Sequence, residues 1–143
     1  VIGEEEAMPE GPADILVVED SPTDLELMCH AWREKGLACC ARVVRDGAEA
    51  LELLFGSERL PKVILLDLKL PKVNGLDVLR QVKSHPRTRS IPVVVLSSSS
   101  EERDVAESYR LGANSYVVKP VAWEEFKQTV TQVALYWTTV NQI

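Results

Sequence analysis

Two short runs constrain this chain more than anything else in it. KVILLD (62–67) and IPVVVLS (91–97) are apolar through their centres, with no polar residue alternating in. A strand with one wet face alternates with period two, so an unbroken apolar strand needs cover on both faces. Six or seven residues suit a strand and are short for a helix. Three further runs read as strands: DILVVED (14–20), LACCARVV (37–44) and SYVV (115–118).

Helical spacing fills the gaps between them. After the first strand, Leu25, Met28, Cys29 and Trp32 recur at helix spacing, with Ser21 as N-cap, Pro22 at the first helical position and Gly36 as the stop. In DGAEALELLFG, Asp46 and Glu49 have capping-box spacing. NGLDVLRQVKSHP is a helix that ends near Pro86, and SEERDVAESYRLGAN is one stopped by Gly112. The last helix, AWEEFKQTVTQVALYWTTVN, carries Phe126, Val130, Val133 and Trp137 on one stripe. Strands that need cover on both faces, separated by helices, imply a parallel sheet in an α/β fold. Right-handed crossovers leave few topologies. The expectation is a doubly wound, flavodoxin-like, five-stranded parallel sheet in the order 2-1-3-4-5 with five helices.

Charge and cysteine usage narrow the function. The 143 residues include 16 basic and 22 acidic side chains, a formal net charge of −6. Such a balance argues against sequence-independent nucleic-acid binding and against docking on an anionic membrane. No apolar run approaches 18 residues. Three cysteines, Cys29, Cys39 and Cys40, have no metal or redox spacing and read as small buried residues of a reduced, cytoplasmic protein. VIGEEEAMPEGP (1–12) is acidic and lacks the basic start and apolar core of a signal peptide. It reads as a flexible tail ahead of one domain over residues 13–143.

Ligands of a doubly wound sheet bind beyond the carboxyl ends of its strands. The sequence places Glu19 and Asp20, Asp67, Ser97 and Lys119 at four such ends. Each alone is ordinary: an acid can favour a helix start, and a lysine before proline is common. Together they put three carboxylates at one edge, which repel unless a cation compensates. Lys119 supplies one charge, and Mg²⁺, which prefers oxygen ligands, would supply more. Acids, a hydroxyl and a lysine suggest phosphoryl transfer to an aspartate, giving an acyl phosphate.

LVVEDSP, ILLDLKLPKVNG, VVVLSS and GANSYVVKP occur in this order, with 30 residues from Asp67 to Ser97 and 22 from there to Lys119. In this the chain resembles the response-regulator receiver domains of two-component signalling, over nearly its whole length after residue 13. The resemblance implies that Asp67 is the phosphoacceptor. Glu19, Asp20, Asp67 and the backbone carbonyl of Lys69 would hold Mg²⁺. Ser97 would be the switch hydroxyl, Tyr116 the aromatic that follows it, and Lys119 the phosphate's partner. It also implies a cis Lys119–Pro120 bond, and a loop after Asp67 shaped by Pro71 and Gly75. In the serine run 97–100, Ser98 would be a small spacer, and Ser99 or Ser100 the cap of the fourth helix.

The output face would be the fourth helix, fifth strand and fifth helix, often a homodimer interface. Trp123, Leu135 and Tyr136 fall off the apolar stripe and are candidates for it. The tail ALYWTTVNQI resembles a subgroup of stand-alone receivers, some paired with bacterial phytochrome histidine kinases. Arg80, Lys83, Arg87 and Arg89 read as a solvated basic face, and His30 and His85 have no motif around them. Two other classes compete. A haloacid-dehalogenase-type phosphatase needs a second aspartate where Lys69 stands. A flavin module needs a phosphate cradle where the acidic EDSPTD stands.

Overall fold

The computed structural model describes residues 14–37 and 41–141. The acidic segment 1–12 and Cys39–Cys40 lie outside the described residues. Five strands, β1 (Ile15–Val18), β2 (Ala41–Val44), β3 (Val63–Leu66), β4 (Val93–Ser97) and β5 (Ser115–Val118), alternate with five α-helices. The helices are α1 (Pro22–Glu34), α2 (Gly47–Gly56), α3 (Gly75–Ser84), α4 (Glu102–Arg110) and α5 (Trp123–Leu135). All strand pairings are parallel and the order is β2-β1-β3-β4-β5, as the apolar runs imply.

The unbroken runs have a simple cause. Successive side chains of a strand point to opposite faces, and both faces here are covered. Ile15, Val17, Val63, Leu65, Val94 and Leu96 bury against Leu25, Met28 and Trp32 of α1 and Phe126 and Val130 of α5. Leu16, Val18, Ile64, Leu66, Val93 and Val95 bury against Leu54 of α2 and Val78, Leu79 and Val82 of α3. Trp32 also donates its Nε1–H to the carbonyl of Val130 at 3.0 Å, tying α1 to α5. The register aligns Val18 with Val44 and with Leu66, and Ser97 with Val118, so the strands finish at one edge.

Helix starts follow the chemistry of their caps. Ser21, Asp46 and Asn74 each accept a hydrogen bond from the backbone N–H three residues on. Gly36 and Gly112 take positive φ angles of 70° and 107° at the ends of α1 and α4. Three expectations change. Helix α4 is capped by Glu101 rather than by Ser99 or Ser100. The Ser99 hydroxyl is taken instead by Asp104, whose Oδ2 accepts it at 2.5 Å. The final helix turns into a π-helical segment at Tyr136–Val140. There Thr138 and Thr139 donate their hydroxyls to the carbonyls of Ala134 and Leu135, competing with the backbone ladder.

The third change concerns the basic cluster. Lys83 is not a solvated charge: its Nζ donates to the carbonyls of Arg89 (3.1 Å) and Ile91 (2.7 Å) and to Asn114 Oδ1 (3.0 Å). Burial holds its pKa below the ordinary lysine value. It clamps the end of α3 to the segments that enter β4 and β5.

Candidate functional site

Glu19, Asp67 and Lys119 each follow the last residue of a strand, and each backbone N–H extends the ladder by one bond. Glu19 N–H donates to Val44 O (3.1 Å), Asp67 N–H to Val18 O (3.0 Å) and Lys119 N–H to Ser97 O (2.7 Å). The three side chains are thus set over one edge by the same pairing that builds the core. They meet at the Lys119 ammonium, which lies 2.8 Å from Glu19 Oε1 and 3.4 Å from Asp67 Oδ2. It also lies 2.7 Å from Asp24 Oδ2.

Asp24 did not figure among the residues read from the sequence as candidates. Its place in Ser21–Pro22–Thr23–Asp24 reads as the first turn of a helix, and that role is also real. Its partner is 95 residues away, beyond the reach of local pattern.

Glu19 is 2% exposed, and its other oxygen, Oε2, accepts the Ser21 N–H at 3.1 Å. Burial raises its pKa from 4.5 to about 7, with repulsion from Asp67 adding to the rise; the Lys119 ammonium and the Ser21 N–H oppose it. Burial alone would lower the pKa of Lys119. The hydrogen bonds to Asp24 and Glu19 outweigh that effect and hold it above the ordinary lysine value. Lys119 is therefore a cation at neutral pH, and Glu19 holds its proton to higher pH than an ordinary carboxylate.

Asp20 is exposed at the rim, beside the buried Glu19. Asp67 Oδ1 accepts a long bond from Lys69 N–H at 3.4 Å, and the Lys69 side chain faces solvent. Among the described residues, no group of three or more His, Cys, Asp or Glu side chains forms a ready metal cage. The donor chemistry still suits a hard divalent cation. Carboxylates at an exposed rim are part of the oxygen set of an ion that keeps several waters.

Ser97 is buried, and its Oγ accepts the Ser99 N–H at 3.1 Å. Tyr116 packs against the core layer of α2 and α3 and donates its hydroxyl to Ser99 O at 2.8 Å. The expected pair of hydroxyl and aromatic is thus bridged through Ser99, which the sequence had suggested only as a cap. Ser98 is exposed. The expected cis bond at Lys119–Pro120 is not found: the described residues contain no cis peptide. A prolyl bond favours trans by about 0.5–1 kcal/mol, and the trans chain already delivers Lys119 to its partners.

The loop after Asp67 is held by close approach. A Cβ on Gly75 would lie 2.3 Å from the Asp67 carbonyl oxygen, so only glycine fits there. Gly47, not singled out from the sequence, has the same relation to Val73 O at 2.0 Å.

Known proteins resemble this chain in sequence and in fold. The family model for the response regulator receiver domain matches residues 15–131. A curated relative, the probable methanogenesis regulatory protein FilR2 of Methanothrix harundinacea, is 40% identical over 93% of this chain and 88% of its own. The phosphorylated cyanobacterial phytochrome response regulator RcpA superposes with a TM-score of 0.84 at 35% identity, covering 92% of this chain and 98% of RcpA. The bacteriophytochrome response regulator RtBRR gives 0.72 at 49% identity, covering 92% of this chain and 84% of its own.

Proposed function

This chain belongs to the response-regulator receiver family, a phosphorylation-driven signalling switch of two-component systems, and on that premise we propose that Asp67 is its phosphoacceptor. The observation that carries the assignment is the meeting of Lys119 with Asp67 and Glu19 at the strand edge. An Asp67 oxygen attacks the donor's phosphorus, and the donor leaves with its bonding electrons. Lys119 stands beside the charge that develops on the phosphoryl oxygens. Receiver domains bind a divalent metal. Here Glu19, Asp20, Asp67 and the Lys69 carbonyl would hold Mg²⁺, which when bound would neutralise phosphoryl charge. At Glu19 the ion would compete with the Lys119 ammonium, which holds Oε1.

Ser97 turns its hydroxyl to the phosphoryl group, gives up the Ser99 N–H, and so loosens the Ser99 carbonyl that Tyr116 holds. That converts a local charge into a change at α4, β5 and α5. Exposed Tyr109, Trp123, Leu135 and Tyr136 lie on these elements or at their ends, and we assign them to a homodimer face. The domain comprises residues 13–143 and works in the cytoplasm. Its donor is a sensor histidine kinase, of phytochrome type on the likeness to RcpA and RtBRR, and of bacteriophytochrome type on that to RtBRR. Among the described residues no helix is long and apolar enough to cross a membrane.

Incubation with Mg²⁺ and acetyl phosphate, followed by intact-mass measurement, should add one phosphoryl group. Asp67→Asn should add none. Equal labelling of that variant would overturn the assignment.

A further inference from the structure

Lys119 makes its shortest contact with the carboxylate that the acceptor chemistry does not call for. Its Nζ is 2.7 Å from Asp24, 2.8 Å from Glu19 and 3.4 Å from Asp67. An ammonium has three N–H donors, and these three carboxylates use all of them. Asp24 is well placed to hold its share. It sits in the first turn of α1, and its own N–H is fixed to Ser21 Oγ at 3.2 Å. Its side chain is a quarter exposed against one tenth for Lys119, so its charge costs less to keep.

Glu19 and Asp67 face conflicting demands. Each has to offer oxygen to a divalent cation, and Asp67 also has to attack phosphorus. An ammonium shared between these two alone would compete with both tasks, because charge-assisted hydrogen bonds are the strong ones. We propose that Asp24 is a positioning residue that draws the Lys119 ammonium toward α1, so that Glu19 and Asp67 are free to turn oxygen to the metal. The inference rests on the assignment of Asp67 as acceptor. With acetyl phosphate, the Asp67 Oδ–P bond forms as the acetyl O–P bond breaks, and acetate leaves with the electron pair. Asp24 takes no part in bond making. It sets how much of Asp67 and Glu19 is available.

A double-mutant cycle separates this role from plain loss of negative charge. Mg²⁺ binding is measured by isothermal titration calorimetry and by backbone amide shifts, in the native chain, Asp24→Asn, Lys119→Met and the double variant. Asp24→Asn should raise the Mg²⁺ Kd roughly three- to ten-fold with Lys119 present and less than about two-fold without it. The Mg²⁺ concentration that half-saturates acetyl-phosphate labelling should rise by the same factor, while the rate at saturating Mg²⁺ stays within about two-fold. Asp24→Glu should restore the affinity.

An equal loss in both backgrounds overturns the proposal, as does an unchanged Kd in a folded Asp24→Asn chain. If thermal unfolding shows that Asp24→Asn does not fold, Asp24→Ser enters the same cycle with the same expectations. Asp67→Asn runs alongside. Labelling of that variant sinks the acceptor assignment, whereas a silent Asp67→Asn with native Mg²⁺ affinity in Asp24→Asn sinks only the role of Asp24.

Discussion

Gly75→Ala tests whether the site and the fold are one construction. The added Cβ would stand 2.3 Å from the Asp67 carbonyl oxygen and 2.5 Å from Leu68 Cα, where ordinary contact begins near 3.4 Å. Both obstacles are backbone, so the 67–75 loop has to open by about 1 Å. Overpacking of this kind costs about 1–3 kcal/mol. The Gly75 N–H bond to Leu68 O, 2.9 Å long, adds about 1 kcal/mol if it is lost. Better helix propensity returns less than about 1 kcal/mol at this first helical position. The net loss is about 1–4 kcal/mol, or roughly 3–20 °C in Tm for a domain of this size.

Gly56→Ala is the control. It is the same change in another helical glycine, at the end of α2, where nothing lies within 4 Å of the new Cβ. It should gain about 0.5–1 kcal/mol. Urea unfolding followed by circular dichroism reads both. Since the loop that must open begins at Asp67, Gly75→Ala should also slow acetyl-phosphate labelling of the folded fraction. A native unfolding midpoint for Gly75→Ala would refute the close approach. A destabilised variant with native labelling would refute the link between loop and acceptor.

Other consequences can be read in the same way. Burial raises the Glu19 pKa above its ordinary 4.5 to about 7, so the folded chain holds that proton more tightly than the unfolded chain. Stability from this group is full below pH 4.5 and is lost as pH rises through about 7. Glu19→Gln should therefore gain stability over the native chain at pH 8 by about 1–3 kcal/mol more than at pH 4.5, read by urea titration without divalent metal. Lys83→Met keeps the apolar stem but removes three donated bonds, and should cost about 1–2 kcal/mol in thermal unfolding. Trp32→Phe loses the Nε1–H bond to Val130 O in a fully buried place and should cost about 1–3 kcal/mol, seen as a lower urea midpoint.

What could be read from sequence was what repeats locally. The strand runs show because both faces are buried, and Glu19, Asp67 and Lys119 show because each closes such a run. Asp24 was hidden because the helix start explains it completely, and its bond to Lys119 exists only once β5 lies beside β4 and α1 above them. Lys83 was misjudged for the same reason. A lysine on an outer helix looks solvated until the turn at Gly112 and the Asn114 amide close over it. The serine run shows the limit of counting letters. Ser99 has capping-box spacing to Glu102, but Asp104 offers its hydroxyl a charged acceptor, and the cap moves to Glu101. The cis prolyl bond came from likeness alone, with no residue in this chain to demand it.

The short strands divide the chain into places where its length can change and places where it cannot. Glu19, Asp67 and Lys119 each stand one step past a four-residue strand. Deleting a single residue from β3 would pull Asp67 back by about 3.3 Å and turn every following side chain to the opposite face. The connections at the other edge carry no such duty. Segment 57–62, between α2 and β3, has Glu58 and Arg59 exposed and no group of the site. Insertions, tags or a grafted reporter domain belong there, whereas the turns at 19–21, 67–74 and 119–122 have a length set by the chemistry they deliver.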